Sequence, residues 1–174
     1  HWAEDGIKYV YGRGIMNGTS ETKFSPNATL SRAMLVTMLY RLEGEPAVSA
    51  ANSFTDVAGG MWYTDAISWA AAGDIVGGMG DGKFAPNADI TREQMAAILH
   101  RYSKYKKYDI SKTGDLSGFA DLRDISAWAL DALKWANGEG LINGRTKTTI
   151  VPKGTAKRAE AAVILMRFME NVAK

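Results

Sequence analysis

The chain has 174 residues, 46% of them hydrophobic and 23% charged, and its 21 basic and 19 acidic side chains leave a formal charge of +2. This composition is typical of a globular protein that can bury a core, and the charge is too small for a nucleic-acid-binding surface. With no cysteine and two histidines, disulfides and thiolate metal sites are excluded, and a histidine-based catalytic site has almost nothing to draw on. No apolar run reaches about 18 residues and no signal peptide begins the sequence, so we expect no membrane insertion.

An internal repeat organises the sequence. Residues 2–41 align without a gap with residues 62–101, and these with residues 128–167. Repeated units of this size bury their apolar faces only against one another. Identical residues recur in all three copies at Trp2/Trp62/Trp128, Asp5/Asp65/Asp131, Gly18/Gly78/Gly144, Pro26/Pro86/Pro152, Arg32/Arg92/Arg158, Leu39/Leu99/Leu165 and Arg41/Arg101/Arg167.

The repeat predicts the domain boundaries. Repeat 1 covers residues 1–43, repeat 2 residues 54–102 and repeat 3 residues 119–174. The linkers are residues 44–53 and residues 103–118, and the basic stretch Lys104–Tyr108 of the second is predicted to be solvated.

Each copy is predicted to be helix–loop–helix, which makes the fold all-α. In the second copy, apolar residues recur at helical spacing from Trp62 until Gly73, and a glycine-rich loop follows. Thr91 then has the character of an N-cap, and Gln94 stands where a capping box requires it. Trp69 and Trp135 are predicted to lie in the core.

The same copy contains Phe54-Thr-Asp56 before the first helix and Thr91-Arg92-Glu93 at the start of the second. This resembles the S-layer homology (SLH) family, and nearly the whole chain is covered by three tandem copies. The resemblance implies a monomer folded as a pseudo-threefold bundle that anchors a secreted protein to the bacterial cell surface. The implied ligand is a secondary cell-wall polysaccharide carrying pyruvate-ketal groups on N-acetylmannosamine, bound in grooves between repeats.

Two copies depart from the family pattern. Repeat 1 is N-terminally incomplete, because it has no Phe-x-Asp before Trp2. Repeat 3 has Ile150 where Phe is usual and Lys157 at the capping position. Three equivalent grooves are therefore not expected.

Arg32, Arg92 and Arg158 are the first candidates for glycan binding. They fall in the first turn of the second helix, where a cation opposes the helix dipole, so an anionic partner is expected. A helix N-terminus with free N–H groups and a guanidinium suits a carboxylate. Arg92→Ala is accordingly predicted to weaken glycan binding by about 1.5–3 kcal/mol. An internal salt bridge, either to Asp5, Asp65 or Asp131 or to a neighbouring repeat, is the alternative.

The tryptophan and glycine columns are weaker candidates. Trp62 and Trp128, like Trp2, can stack on a sugar, but packing in the core or between repeats is the favoured interpretation. Gly18, Gly78 and Gly144 are explained most simply by the turn. Backbone N–H groups of Gly78, Met79 and Gly80 are the candidates for contacts with sugar hydroxyls.

The remaining columns are predicted to be structural. Asp56 and Asp121 are expected to cap the first helix or to bond a loop. Asp5, Asp65 and Asp131 are assigned to support of the site. Arg41, Arg101 and Arg167 lie near a helix C-terminus, where their charge needs no further explanation. No metal site and no cofactor are predicted.

The sequence therefore favours a non-catalytic glycan-binding module. One alternative is a helical-repeat scaffold for a protein partner or for self-assembly. The other is a wall-active glycosidase, which needs two carboxylates across a cleft, whereas the only acid present in all copies is the Asp5 column.

Overall fold

The computed structural model describes residues 2–174. Within this range the chain is all-α, as predicted, with isolated antiparallel backbone bridges in place of any sheet. Two 3₁₀ turns, Leu122–Asp124 and Ala127–Ala129, precede the fifth helix. The helices are α1 (Glu4–Gly12), α2 (Arg32–Leu42), α3 (Thr64–Ala72), α4 (Arg92–Tyr105), α5 (Leu130–Gly138) and α6 (Arg158–Asn171).

The second helix of each copy begins at a side-chain cap. The Ser31 hydroxyl accepts the Met34 N–H in α2. The predicted capping box of α4 is confirmed, because the Thr91 hydroxyl accepts the Gln94 N–H and the Gln94 amide accepts the Thr91 N–H. In α6 the Glu160 carboxylate accepts the Lys157 N–H, as the Gln94 amide accepts that of Thr91. Caps of this kind satisfy donors that the helix leaves unpaired.

Helices pair across copies. The first helix of each copy packs on the second helix of the preceding one: α3 on α2, α5 on α4, and α1 on α6, which closes the circle. The α1–α6 approach is close, since a Cβ added to Gly6 would lie 2.9 Å from Val163. No copy therefore has a core of its own, as expected for units of this size.

A ring of hydrogen bonds lies at the centre of the bundle. Leu30 donates to the carbonyl of Ala156, Ala156 to that of Ile90, and Ile90 to that of Leu30, each at 2.9 Å. All three side chains are fully buried. Because every copy donates to one neighbour and accepts from the other, the three copies form the expected pseudo-threefold bundle.

The second linker is more ordered than predicted. Helix α4 continues to Tyr105, into the segment assigned to that linker. Lys106 forms an ion pair with Glu43, and Tyr108 packs against Phe168 with ring centroids 6.2 Å apart. Part of Lys104–Tyr108 is thus bound to the bundle, because its aromatic rings bury apolar area there.

Among the helices of residues 2–174, none has the length and apolarity needed to cross a membrane.

Candidate functional site: two arginine-lined grooves

The repeated arginines join neighbouring copies. Each is at most 5% exposed and reaches from the start of its helix into the loop of the next copy, and we call the three side chains the arginine latches. A buried guanidinium requires several acceptors, and the loop carbonyls supply them. The Nε–H groups of Arg32, Arg92 and Arg158 donate to the carbonyls of Phe84, Ile150 and Phe24, and their Nη2 groups to those of Gly77, Asn143 and Asn17.

The helix N-termini beside the latches are not free, which corrects the sequence-based expectation. The N–H of Arg32 donates to the Ala88 carbonyl of the next copy at 3.0 Å, and that of Ala33 to Pro86 at 3.0 Å. The corresponding groups of α4 and α6 are paired in the same way. These N–H groups are used to join the copies, so an anion has to be held by side chains.

One groove lies between Arg32 and Trp128, and we call it the Arg32 groove. It is a cavity of about 360 Å³, within the range of small-molecule sites. Repeat 1 supplies the arginine, repeat 2 the loop and one face of α4, and repeat 3 the tryptophan. Its lining consists of Arg32, Val76, Gly77, Gly78, Met79, Gln94, Ala97, Ile98, Arg101 and Trp128.

A second groove, which we call the Arg92 groove, is built from the same columns one copy further on. It is a cavity of about 400 Å³. Its lining consists of Arg92, Leu141, Ile142, Asn143, Gly144, Arg145, Glu160, Val163, Ile164, Arg167 and Trp2.

The candidates from repeat 2 are separated by the fold. Gly78 and Met79 line the Arg32 groove and Arg92 lines the other, whereas Trp62 lines neither. Gly80 lies outside both linings and turns the chain with a φ of 105°. A complete groove therefore needs residues from three copies, which alignment of single copies does not indicate.

The three tryptophans of the repeated column are exposed, so they do not pack in the core, which was one half of the favoured interpretation. Trp2 is 67% exposed, and Trp62 and Trp128 are each 56% exposed. Trp69 and Trp135 are buried, as predicted. An exposed indole beside a cavity offers an apolar face and an N–H donor to a ligand.

The glycine column is required by close packing of the loop. A Cβ on Gly78 would lie 2.9 Å from the Lys83 carbonyl oxygen, and one on Gly144 would lie 2.2 Å from that of Thr146. Gly18 is equally confined, with 2.6 Å to the Ser20 carbonyl oxygen. None of the three has a positive φ, so the reason is space rather than left-handed geometry.

The loop N–H groups differ from those proposed from the sequence. The Met79 N–H is used within the turn, where it donates to the Lys83 carbonyl at 2.7 Å. Within residues 2–174, the N–H groups of Gly77 and Gly78 donate to no other residue. Since both glycines line the Arg32 groove, these two donors are the ones available to a ligand.

Three acidic side chains, of which Glu93 is buried and the others part-buried, hold the groove walls in place. Asp56 accepts the N–H groups of Phe84 and Ala85, both at 2.8 Å, and thereby fixes the loop to which Arg32 is latched. Glu93, 2% exposed, accepts the N–H and hydroxyl of Ser126, two residues before Trp128. Asp121 binds the Ile150 and Val151 N–H groups as Asp56 binds its loop.

The structure changes the interpretation of two other columns. Asp5, Asp65 and Asp131 are exposed, and no ion pair joins them to a latch within the described residues. Arg101, which seemed to need no explanation, lines the Arg32 groove. Across residues 2–174, its guanidinium has no hydrogen-bond or ion-pair partner. The signal in the sequence was the recurrence of this arginine in all three copies.

The two linings have the same formal charge, since the Arg92 groove adds Arg145 and Arg167 to its latch and Glu160 offsets one of them, but they differ in how the charges are paired. Burial, and then repulsion from Arg101, lower the pKa of Arg32. The lining of the Arg32 groove contains these two cations and no acid. Burial also lowers the pKa of Arg92, but Glu160 acts in the opposite direction. Arg92 Nη1 lies 3.3 Å from Glu160 Oε1, and Arg145 Nη2 lies 2.9 Å from Glu160 Oε2.

Metal binding has no support in this geometry. Nowhere in residues 2–174 do three His, Asp or Glu side chains come together as a metal site requires. The grooves thus offer guanidinium groups, indole faces and peptide donors, which is the chemistry of anion and sugar recognition.

Comparison with known proteins agrees with the repeat structure. The S-layer homology domain model matches residues 1–33, 53–96 and 118–162. An amylopullulanase of Thermoanaerobacterium thermosulfurigenes is 38% identical over 98% of this chain, which spans 9% of that protein. The surface-layer 125 kDa protein of Lysinibacillus sphaericus is 32% identical over 98% of the chain, which spans 14% of it.

An S-layer protein of Bacillus thuringiensis subsp. finitimus is 31% identical over 100% of the chain. The chain spans 21% of that protein, so it corresponds to a small part of each of these relatives. Because the family's model matches three segments that together make up most of the sequence, the chain belongs to the S-layer homology domain family and is a non-catalytic, cell-surface anchoring module of three tandem repeats.

Proposed function

We propose that this module anchors the protein that carries it by binding an anionic cell-wall polysaccharide in the Arg32 groove. The proposed ligand is a secondary cell-wall polysaccharide with pyruvate-ketal groups on N-acetylmannosamine, and the module acts as a monomer without nucleic acid. One observation carries the proposal: Arg32 and Arg101 line a cavity that has no acid in its lining, beside the exposed Trp128.

The ketal carboxylate is assigned to the two arginines. Two loop carbonyls hold Arg32 through Nε and Nη2, while Nη1 has no acceptor within the described residues. A guanidinium fixed in this way loses little freedom when it binds a carboxylate. Arg101 adds a second cation to the same cavity. Charge-assisted hydrogen bonds of this kind are the strong ones.

The neutral part of the sugar is assigned to the rest of the lining. Trp128 offers an indole face to the ring, and Gly77 and Gly78 offer N–H groups to hydroxyls. Gln94 accepts the Thr91 N–H through its oxygen and places its NH₂ group near Met79 inside the groove. These groups recognise a sugar without general acid–base chemistry, in keeping with a non-catalytic module.

The direct test uses purified wall polysaccharide before and after chemical removal of the pyruvate. We expect the module to bind the intact polymer in a pull-down and in calorimetry, and to lose most of this affinity when the carboxylate is removed. Equal binding to both polymers would overturn the carboxylate assignment. Absence of binding to either would favour the alternative scaffold function, and release of sugar fragments would indicate a glycosidase.

A matched pair of variants tests the groove. Arg92→Ala also destroys a latch, so its effect on binding is mixed with its effect on folding. Arg101→Ala leaves all latches intact and is expected to weaken binding of a pyruvylated fragment by about 1.5–3 kcal/mol, the value of a charge-assisted hydrogen bond. Arg167→Ala, its counterpart in the Arg92 groove, serves as the control. Unchanged affinity of a folded Arg101→Ala variant would contradict the assignment.

A further inference from the structure

We infer that Glu160 closes the Arg92 groove to anionic sugars, so that of these two grooves it is the Arg32 groove that binds the carboxylate of the ligand. The inference rests on the proposed function, because it concerns which groove takes the charged sugar. It assigns specificity to one position of the second helix, occupied by Gln94 in α4 and by Glu160 in α6.

The Glu160 carboxylate already occupies the place of a bound anion. One oxygen lies 3.3 Å from Arg92 Nη1, and both accept Arg145 Nη2, at 2.9 and 3.0 Å. The second oxygen also accepts the Lys157 N–H at 2.9 Å. This side chain is only 16% exposed. A ligand carboxylate approaching Arg92 meets a negative charge that is fully hydrogen-bonded and part-buried.

The same position in the Arg32 groove is neutral. Gln94 keeps the capping role through its oxygen and brings an NH₂ group in place of a carboxylate. Arg32 Nη1 is therefore left for an external anion, whereas Arg92 Nη1 has an internal one. Met79 stands where the other groove has Arg145, so no second internal ion pair forms.

The two side chains can be exchanged without loss of their capping role. Glu160→Gln reproduces the arrangement seen at Gln94, and Gln94→Glu reproduces that seen at Glu160. Both variants are therefore expected to fold. Each groove also contains its own reporter, since Trp128 lines one and Trp2 the other.

The experiment follows the indole N–H signals of all five tryptophans by NMR. The probes are the methyl glycoside of pyruvylated N-acetylmannosamine and its unpyruvylated parent. In the unaltered chain, we expect the pyruvylated probe to shift the Trp128 signal to saturation at concentrations that leave Trp2 unmoved. In Glu160→Gln, the Trp2 signal is expected to respond with at least a tenfold gain in affinity. In Gln94→Glu, the Trp128 response should weaken at least tenfold.

The outcomes separate the inference from the proposed function. If Trp2 and Trp128 respond equally in the unaltered chain, or if Glu160→Gln adds no response at Trp2, the role of Glu160 is overturned while carboxylate binding stands. If no indole responds to the pyruvylated probe in any variant, both fall. If the unpyruvylated parent gives the same responses as the pyruvylated probe, the carboxylate assignment fails and Glu160 has no anion to exclude.

Discussion

The Arg32 groove and the Arg92 groove are built from the same columns and have the same formal charge, but only the Arg92 groove contains an internal ion pair. Both have a latched arginine at one end, an exposed tryptophan at the other and a glycine loop between them. In the Arg92 groove the guanidinium has an internal carboxylate at 3.3 Å, while the lining of the Arg32 groove contains no acid. The columns that are identical in all copies build the framework, and we propose that a column that varies, Gln94 in one groove and Glu160 in the other, determines what each groove accepts.

The latch also explains why one residue type serves two purposes. Arginine has five N–H donors in a rigid plane, enough to hold two loop carbonyls and still present a donor to a ligand. Arg32 uses Nε and Nη2 for the loop, as Arg92 does, and only the partner of Nη1 differs. In the proposed function, a single side chain therefore serves both the framework and recognition.

The largest effect is expected from removal of a latch. Arg32→Ala leaves the carbonyls of Phe84 and Gly77 without their charged donor, and hydrogen bonds of this type contribute about 1.5–3 kcal/mol each. We expect the free energy of unfolding to fall by about 3–5 kcal/mol, measured by urea denaturation. Arg92→Ala should cost about 1 kcal/mol more, because it also removes the ion pair to Glu160.

Arg101→Ala is the stability control, since its side chain has no partner within residues 2–174, and a change within about 0.5 kcal/mol is expected. If Arg32→Ala were as stable as Arg101→Ala, the latches would contribute nothing to the joining of copies. Equal losses in Arg32→Ala and Arg92→Ala would show that the internal ion pair adds no stability to its groove.

A smaller effect is expected in the loop of the Arg32 groove. Gly78→Ala places a Cβ 2.9 Å from the Lys83 carbonyl oxygen and 3.2 Å from the Phe54 ring. Overpacking of this kind costs about 1–3 kcal/mol in the free energy of unfolding. Gly77→Ala is the matched control, because a Cβ there has no neighbour within 4 Å. Equal stability of the two variants in thermal and urea unfolding would refute the steric explanation of the glycine column.

The fold was predictable because its signals are local or periodic. Helical spacing, the capping residues at Thr91 and Gln94, and three copies of one pattern indicate six helices in three units. Burial of Trp69 and Trp135 also follows from their place on the apolar face of a helix. These features depend on residues that are close together in the sequence or that recur along it, so the sequence alone shows them.

The site was predictable only in part, because its contacts join different copies. The first-turn N–H of Arg32 finds its acceptor in Ala88, and that of Arg92 in Gly154, with no local signature in either case. Trp128 is exposed, and the other residues that line its groove come from two other copies. An arginine that holds a loop and an arginine that holds a ligand look the same in a sequence, so Arg32 and Arg92 were proposed together and Arg101 was assigned no role.

The smallest expected effect is a loss of stability at low pH, where the carboxylates that hold the loops of both grooves become protonated. Burial raises the pKa of Asp56, but hydrogen bonds from the Phe84 and Ala85 N–H groups outweigh it, and the pKa lies below its ordinary value of 3.8. The pKa of Asp121 is lowered in the same way, with a further contribution from Arg92. Each carboxylate also accepts the N–H of a residue with left-handed backbone. Asp56 binds Ala85, which has a φ of 58°, and Asp121 binds Val151, which has a φ of 53°.

Since the folded pKa values lie below the unfolded ones, these carboxylates stabilise the fold fully above about pH 4 and lose this contribution as the pH falls through the lowered values. Urea midpoints measured from pH 7 to pH 2 should therefore decrease at the acid end. Asp56→Asn and Asp121→Asn should each flatten that decrease at a cost in stability at pH 7, while the exposed Asp65→Asn serves as the control for loss of a charge. A decrease as steep in Asp56→Asn as in the unaltered chain would mean that this carboxylate does not fix the Arg32 groove, and the two grooves would then differ in their support as well as in the pairing of their charges.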